Sequence, residues 1–343
     1  MKTTPIILIG FGSVHQAFAR LLLDKNAVLA RRYGLAFRVV GVADSRGAAF
    51  NQDGLDLAAL LAHKATGHSV ATCPGSHPLY DALSLAHTAD YDLLLEASPV
   101  NLTDGEPALG CVRAALARGK NAVLANKAPL VLDYAGLHDL ARQHDARLAF
   151  SATVCGGLPV INVGQRDLIA ADIHKIEGIF NSTSNYILSR MATGESYAAA
   201  LAEAQRRGLA ETDPSLDVDG WDTANKLVIV ANAVLGIPAR LDDVTVTGMR
   251  QVTGMQIARA RADGEMIRLI ATAERRESGW SLTVQPRQVA LDSFLGGIDL
   301  WEMGIIFHTD IFEITSLKID ERGPMGTAAA MLRDAVQLTR LCQ

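Results

Sequence analysis

From Pro5 to Val154 the chain alternates short, β-branched apolar runs with stretches of helical periodicity, and this alternation limits the possible folds more than any other feature. PIILIG (5–10), AFRVVGVAD (36–44), YDLLLEAS (91–98), NAVLAN (121–126) and RLAFSATV (147–154) read as strands. A helical pattern, VHQAFARLLLDK, follows the first, and others at 106–119 and 130–145 separate the last three. Strands spaced by helices need crossover connections, so the pattern predicts an α/β parallel sheet with helices on its faces. Residues 46–90 are less periodic and decorate that sheet.

After residue 155 the pattern changes. IHKIEGIFN (173–181) reads as a strand, with helices following near 184–192, 196–207 and 220–235. Strands at 266–274, 279–290 and 311–319 and a closing helix at 326–341 complete an α+β arrangement without internal repeats. At 343 residues the chain is long for one core, so two domains are expected.

Composition narrows the function classes. Charged residues make up 20% of the chain, the net charge is −5 and no Lys/Arg tract occurs, which argues against a nucleic-acid or anionic-membrane partner. The longest apolar stretch, LVIVANAVLGI (227–237), falls well short of the ~20 residues of a membrane span. The N-terminus runs directly into the first strand, without the apolar stretch and cleavage site of a signal peptide. Cys73, Cys111, Cys155 and Cys342 are scattered with no CxxC pair, and the nine histidines include no HxxxH or HExxH spacing. A reducing cytoplasm fits this usage and a zinc site does not.

GFGSVH (10–15) stands between the first strand and the first helix, where a dinucleotide-binding turn belongs. Gly10 permits the tight turn. Gly12 lets backbone approach a pyrophosphate held by the helix N-terminus at Ser13 and Val14. The third glycine of GxGxxG is His15 here, implying a wider helix–strand gap or a side chain in the cofactor's space. Asp44 ends the second strand, where a carboxylate can accept the ribose hydroxyls of NAD, yet Ser45 and Arg46 follow and suit the 2′-phosphate of NADP. The choice between NAD and NADP stays open, and Asp44 also reads as a plain turn residue.

ETDPSLDVDGWDTANKL (211–227) places five carboxylates in twelve residues and leads into an amphipathic helix. Asp222 and Lys226, four apart, share one helical face and can hydrogen-bond each other. On spacing alone the simpler reading is a surface pair worth ~0.3–0.5 kcal/mol, with Glu211, Asp213 and Asp217 as turn and cap residues. Lys127, in ANKAP after a strand end, stands where open α/β sheets bind ligands, or is an ordinary post-strand lysine.

Six segments together resemble homoserine dehydrogenases, the enzymes that interconvert aspartate semialdehyde and homoserine. They are GFGSVHQAF, NAVLANKAPL, FSATVCGGLPVI, GIFNSTSNYIL, AETDPSLDVDGWDTANKL and GPMGTAAAMLRD, in family order over nearly the whole chain. The resemblance implies a Rossmann-type dinucleotide-binding domain at 1–154 and an α+β substrate-binding and dimerisation domain at 155–322. It further implies a C-terminal helix, 323–343, packed back on the first domain, and the short form of the enzyme without an amino-acid-sensing domain. A homodimer and a small amino-acid substrate follow from it.

The chemistry requires a hydride from NAD or NADP, a proton for the developing alkoxide and counter-charges for a zwitterion. Glu211 and Asp217 suit the ammonium, or the hydroxyl, as acceptors, Asp222 with Lys226 holds the substrate, and Lys127 transfers the proton, although either lysine can act as the acid. Asn181 and Thr183 in NSTSNYIL are substrate contacts or, for Thr183, a helix cap; Ser182 stands where glycine is usual. Ala97 and Ser98 of EASPVN, with Asn126, line the nicotinamide end. In the family the loop ATVCGGLP (152–159) adjoins nicotinamide, with Gly157 near substrate. Its carbonyls, here at Val154 and Gly156, can hold a monovalent cation, to which some members add a glutamate at the position of Ser151. Cys155 replaces a frequent glycine.

Two other classes compete. Cys155 in its glycine-rich turn is a candidate thiolate for a covalent aldehyde dehydrogenase. His15 and Ser182 suit a non-catalytic nucleotide sensor.

Overall fold

A computed structural model describes residues 2–79 and 81–341, so Cys342 lies outside the described residues. The chain divides into two compact units, one formed by Met1–Gly157 with Gly323–Gln343 and the other by Leu158–Arg322.

The first unit is built on β1 (Lys2–Ile9), β2 (Leu35–Asp44), β3 (Gly47–Phe50), β4 (His77–Leu79), β5 (Leu93–Glu96), β6 (Asn121–Leu124) and β7 (Leu148–Ala149). Among the described residues these form a seven-stranded sheet in the order β4-β3-β2-β1-β5-β6-β7. Pairing is parallel from β2 through β7, and β3 and β4 extend the edge antiparallel. The central strand shows why its sequence is continuously apolar rather than alternating: Ile6 to Ile9 are each 0% exposed, buried on both faces. Phe18 and Leu22 of helix Ser13–Tyr33 share one core with Met331 and Ala335 of helix Pro324–Leu341. The less periodic stretch after Arg46 supplies the antiparallel edge and helix Leu57–Ala65.

One expected strand is cut short. RLAFSATV pairs only at Leu148 and Ala149, and a tight turn follows at Ser151–Thr153. The cause is a hydrogen-bonded competitor for the strand. Asp334 of the C-terminal helix accepts from the Ser151 amide at 2.9 Å and from its hydroxyl at 3.0 Å, which pulls the backbone out of the ladder.

The second unit is a six-stranded sheet of β8 (Ile173–Ile179), β9 (Val244–Val246), β10 (Glu265–Arg276), β11 (Gly279–Ala290), β12 (Glu302–Thr309) and β13 (Ile314–Asp320). Its order is β13-β12-β8-β10-β11-β9, antiparallel except where β9 joins β11. Helices Ser182–Met191 and Trp221–Val234 pack against it, burying Ile187, Leu188, Leu227 and Val228. Sequence periodicity misses β9, which has three residues, and β12, whose MGIIF run is buried throughout and lacks alternation.

Candidate active site

The first unit offers a site made almost entirely of backbone. β1 ends at the point where the sheet order runs to β2 on one side and β5 on the other, the switch point where open α/β sheets bind ligands. Gly10 turns there with φ +82°, and a Cβ on it would lie 2.4 Å from the backbone of Ser98. No other residue fits. At Gly12, by contrast, a Cβ would meet nothing closer than the Gly10 carbonyl at 4.0 Å, so that position keeps space for something outside the chain. The helix that starts at Ser13 has no side-chain cap and no acid in its first turn. Its first amides therefore remain available to an anion at the positive end of a 21-residue helix. These features fit the pyrophosphate of a dinucleotide.

His15 settles the departure from the glycine pattern in a way the sequence did not suggest. Its ring is 0% exposed, turned beneath the loop and away from open space, with Nδ1 donating to the Gly10 carbonyl at 3.1 Å. Phe18 meets it edge-on. Desolvation lowers its pKa to about 4, so the imidazole is neutral, and Nε2 has no hydrogen-bond partner.

Asp44 is more heavily committed than its position suggests. Oδ1 accepts from the Arg46 amide and the Ser69 hydroxyl, both at 2.9 Å. Oδ2 accepts from Lys64 Nζ at 2.5 Å and the Val70 amide at 3.0 Å. Burial acts to raise the Asp44 pKa, but Lys64 and the other donors outweigh it and hold the carboxyl below its ordinary value. Arg46 donates to the Gly67 carbonyl at 2.8 Å.

At the other side of the Gly10 turn, β5 delivers Glu96, which sequence reasoning missed. It is 0% exposed and desolvation raises its pKa to about 7. Oε1 accepts from the Ser98 amide at 2.8 Å and from the Ser98 hydroxyl, while Oε2 is buried with no partner. Asn126 reaches the Ser98 hydroxyl and the Pro99 carbonyl at 3.4 Å each, and its own oxygen caps the Ala128 amide at 2.9 Å. Thus Ala97, Ser98 and Asn126 form one braced corner. Lys127 is half-buried at the head of helix Ala128–Gln143.

The second unit offers a different kind of site, made of ionised side chains. Lys226 Nζ lies 2.8 Å from Asp222 Oδ2 and 2.5 Å from the Phe180 carbonyl, so the pair is fixed by a backbone anchor and is no solvated surface bridge. Side-chain exposure is 13% for the lysine and 11% for the aspartate. Asn181 joins the acids: its Nδ2 donates to Asp217 at 2.6 Å and to Asp222 at 2.8 Å, and its Oδ1 caps helix Ser182–Met191 at the Ser184 amide. The cap is therefore Asn181, and Thr183 instead donates to the Leu209 carbonyl at 2.9 Å, anchoring the start of the acidic loop.

The five carboxylates divide by task. Asp217 and Asp222 belong to this cluster. Asp213 receives the Ser215 amide at 3.0 Å within a turn, and Asp219 pairs with Arg250. Glu211 is exposed on the loop, which Gln205 ties down through the Glu211 and Thr212 carbonyls.

The loop after β7 carries Val154, Cys155, Gly156 and Gly157. Cys155 and Gly156 take φ of +55° and +53°, and Cys155 is 1% exposed. Beside the loop, Arg333 donates to the Ser151 hydroxyl at 2.6 Å and to the Gly157 carbonyl at 3.4 Å. An added alkali ion at Val154 and Gly156 does not fit well here: serine brings no charge, and a guanidinium already occupies the oxygens that flank them. Among the described residues no group of three or more His, Cys, Asp or Glu side chains forms a metal site, and no helix is long and apolar enough to cross a membrane.

A glycine turn opening an uncapped helix at the switch point of a parallel sheet defines a dinucleotide-binding domain. The model of the homoserine dehydrogenase NAD-binding domain matches residues 10–151, and that of homoserine dehydrogenase matches 159–336. The chain belongs to the homoserine dehydrogenase family. It is 34% identical over 334 residues to homoserine dehydrogenase of Methanocaldococcus jannaschii, covering 97% of this chain and 98% of that one. It is 35% identical to an NAD(+)-dependent homoserine dehydrogenase of Pseudomonas canavaninivorans, with 98% and 97% covered. The crystal structure of a putative homoserine dehydrogenase from Archaeoglobus fulgidus matches with a TM-score of 0.87 and 37% identity over 98% of this chain and 99% of that one. The chain is accordingly an NAD(P)-dependent oxidoreductase acting on a CH–OH group, interconverting L-homoserine and L-aspartate 4-semialdehyde. The covalent-cysteine and sensor readings give way to this one.

Proposed function

We propose how the residues divide that reaction. Gly10, Gly12 and the amides of Ser13 and Val14 hold the dinucleotide phosphates; Asp44, Ser45 and Arg46 face its adenosine ribose; Ala97, Ser98 and Asn126 border the nicotinamide. When bound, that ring takes the hydride from the hydroxyl-bearing carbon of homoserine or returns it to the aldehyde. The second unit holds the amino acid: Asp217 and Glu211 accept from its ammonium, and Lys226, oriented by Asp222, donates to its oxygen. Lys127 takes the hydroxyl proton in oxidation and gives it back in reduction. Gly157 leaves room for substrate at the end of its loop. Asn181 sets the spacing of the two acids, and Thr183 holds the loop that carries Glu211.

The observation that supports this most is the cluster of Lys226, Asp222, Asn181 and Asp217, a half-buried ammonium beside two carboxylates joined by one amide. Excess negative charge on these partly buried side chains suits the cationic end of a zwitterion. Initial rates with L-homoserine and NAD or NADP test it. Saturable NAD(P)H formation is expected, and absence of turnover with both cofactors would overturn it.

The buried thiols of Cys73 and Cys111 support a reducing, cytoplasmic setting. A homodimer through the second unit is supported by Ile311 and Phe312, in the bend before edge strand β13, and Ile314, its first residue, which stay 47–64% exposed. Sedimentation equilibrium checks it.

A further inference from the structure

Cys155 and Gly156 hold consecutive left-handed conformations in the loop after β7, and a non-glycine residue there persists only where its surroundings fix it. The C-terminal helix supplies the fixing. Asp334, 2% exposed, takes the Ser151 amide and hydroxyl at 2.9 and 3.0 Å. Arg333, next in sequence, donates to the Ser151 hydroxyl at 2.6 Å and the Gly157 carbonyl at 3.4 Å, spanning both ends of strap 151–157. Its Nε lies 3.9 Å from Asp334 Oδ1. A hydroxyl and a backbone carbonyl thus accept from a single positive group, and a carboxylate stands 3.9 Å from it. Such an all-oxygen set is what a hard metal cation would also require. Here the cation is a guanidinium carried by the chain.

We propose that Arg333 is a built-in cation that replaces a monovalent metal ion at strap 151–157, so that this enzyme orders the strap and turns over without Na+ or K+. Arg333 acts through the strap as a positioning residue. The proposal rests on the assignment of the chain as a homoserine dehydrogenase, and half of its test needs no substrate. A planar guanidinium can bridge two acceptors several ångströms apart, whereas an alkali ion must draw its oxygens around a point. The serine at position 151 agrees with this, because a glutamate there would add a second negative charge beside Asp334, which one guanidinium could not balance.

The test compares sodium, potassium and choline chloride at equal ionic strength, reading the thermal midpoint, the 23Na linewidth and the homoserine oxidation rate. Wild type is expected to show the same midpoint and a rate within twofold in all three salts, with no sodium broadening. Arg333→Met should lose at least tenfold in kcat with little change in nucleotide affinity. Arg333→Lys should retain several-fold more than Arg333→Met, and millimolar guanidinium or an alkali ion should restore part of the methionine variant's rate and midpoint. The double variant S151E/R333A should become sodium- or potassium-dependent in midpoint as well as rate. Several-fold activation of wild type by either metal ion over choline, with sodium broadening, overturns the proposal. So does an Arg333→Met variant that is unaffected, or one whose loss neither guanidinium nor metal ions relieve. Absence of homoserine turnover with unchanged salt-independent midpoints would instead count against the family activity alone.

Discussion

The two candidate sites solve opposite problems with opposite materials. The nucleotide end of the first unit uses backbone: a glycine that nothing else can replace, an uncapped helix start, and small polar groups held by a buried carboxyl. The acidic helix entry of the second unit uses charge: one ammonium and two carboxylates fixed by a single asparagine amide. A pyrophosphate is a large, diffuse anion that many amides can share, so geometry matters more than any one side chain. An amino acid carries opposite charges a few ångströms apart, and only paired side chains of both signs can read that arrangement. The first site should therefore fail through steric substitutions and the second through isosteric neutralisation.

The largest effect is expected at Lys226. Lys226→Met keeps the aliphatic stem and removes the charge beside Asp222. Turnover should drop by about 10²–10⁴, while nucleotide affinity measured by fluorescence titration stays within twofold. Lys127→Met should cut kcat comparably. Near wild-type rates in both variants would remove charge from the account of this reaction.

Next comes the contrast within the glycine turn. Gly10→Ala must adopt φ +82° with a Cβ 2.4 Å from Ser98, a conflict worth at least about 3 kcal/mol, and should yield little folded protein. Gly12→Ala meets no such neighbour, so its thermal midpoint should stay near wild type while NAD(P) affinity falls about tenfold or more. If Gly12→Ala binds nucleotide normally, the turn is structural only.

How far each region was legible in the sequence follows the same division. Backbone sites are local. Alternating strands and helices gave the parallel sheet, and the GFG turn gave the switch point, because each signal lies within a few residues. Asp222 and Lys226 were legible for the same reason, being one helical turn apart. The bracket that joins Asp222 to Asn181 spans 41 residues, and the clamp of Arg333 on Ser151 spans 182. No pattern in the sequence marks either, since an asparagine before a helix reads first as a cap, which it also is. Three of the four donors that saturate Asp44 come from Lys64, Ser69 and Val70, in the stretch with least periodicity. His15 and Glu96 were opaque because burial, which sets their charge state, is a property of the finished core.

Those two buried groups give the first site a pH dependence of stability. Glu96 has a folded pKa raised to about 7 from 4.5, so its contribution is fully present below about pH 4.5 and is lost as pH rises through 7. His15 is a base lowered from 6.5 to about 4, so its contribution is present above 6.5 and lost as pH falls toward 4. The two slopes oppose each other and partly cancel in wild type. Glu96→Gln removes only the first. Its stability relative to wild type, from urea unfolding, should become more favourable between pH 5 and 8 by up to about 3 kcal/mol, at 1.36 kcal/mol per unit. A difference that does not change with pH would mean that Glu96 titrates as an ordinary carboxyl.

The smallest effect lies at Asp44, a charged group among the backbone donors of the first site. Its carboxylate already accepts four hydrogen bonds, including Lys64 Nζ at 2.5 Å. Two readings of its role give different signatures. If Asp44 accepts ribose hydroxyls, Asp44→Asn weakens NAD and leaves NADP unchanged. If it holds Lys64 back from a 2′-phosphate, neutralising it releases an ammonium toward that phosphate, and absolute NADP affinity improves. The second outcome is expected, because both oxygens are saturated from within the chain and a ribose must displace a donor to reach them. The KM for NADP should fall about five- to tenfold, near 1 kcal/mol, with kcat little changed. A KM for NADP that stays fixed while that for NAD rises would return Asp44 to the ribose, and the nucleotide end would then read its ligand through a side chain as well as through backbone.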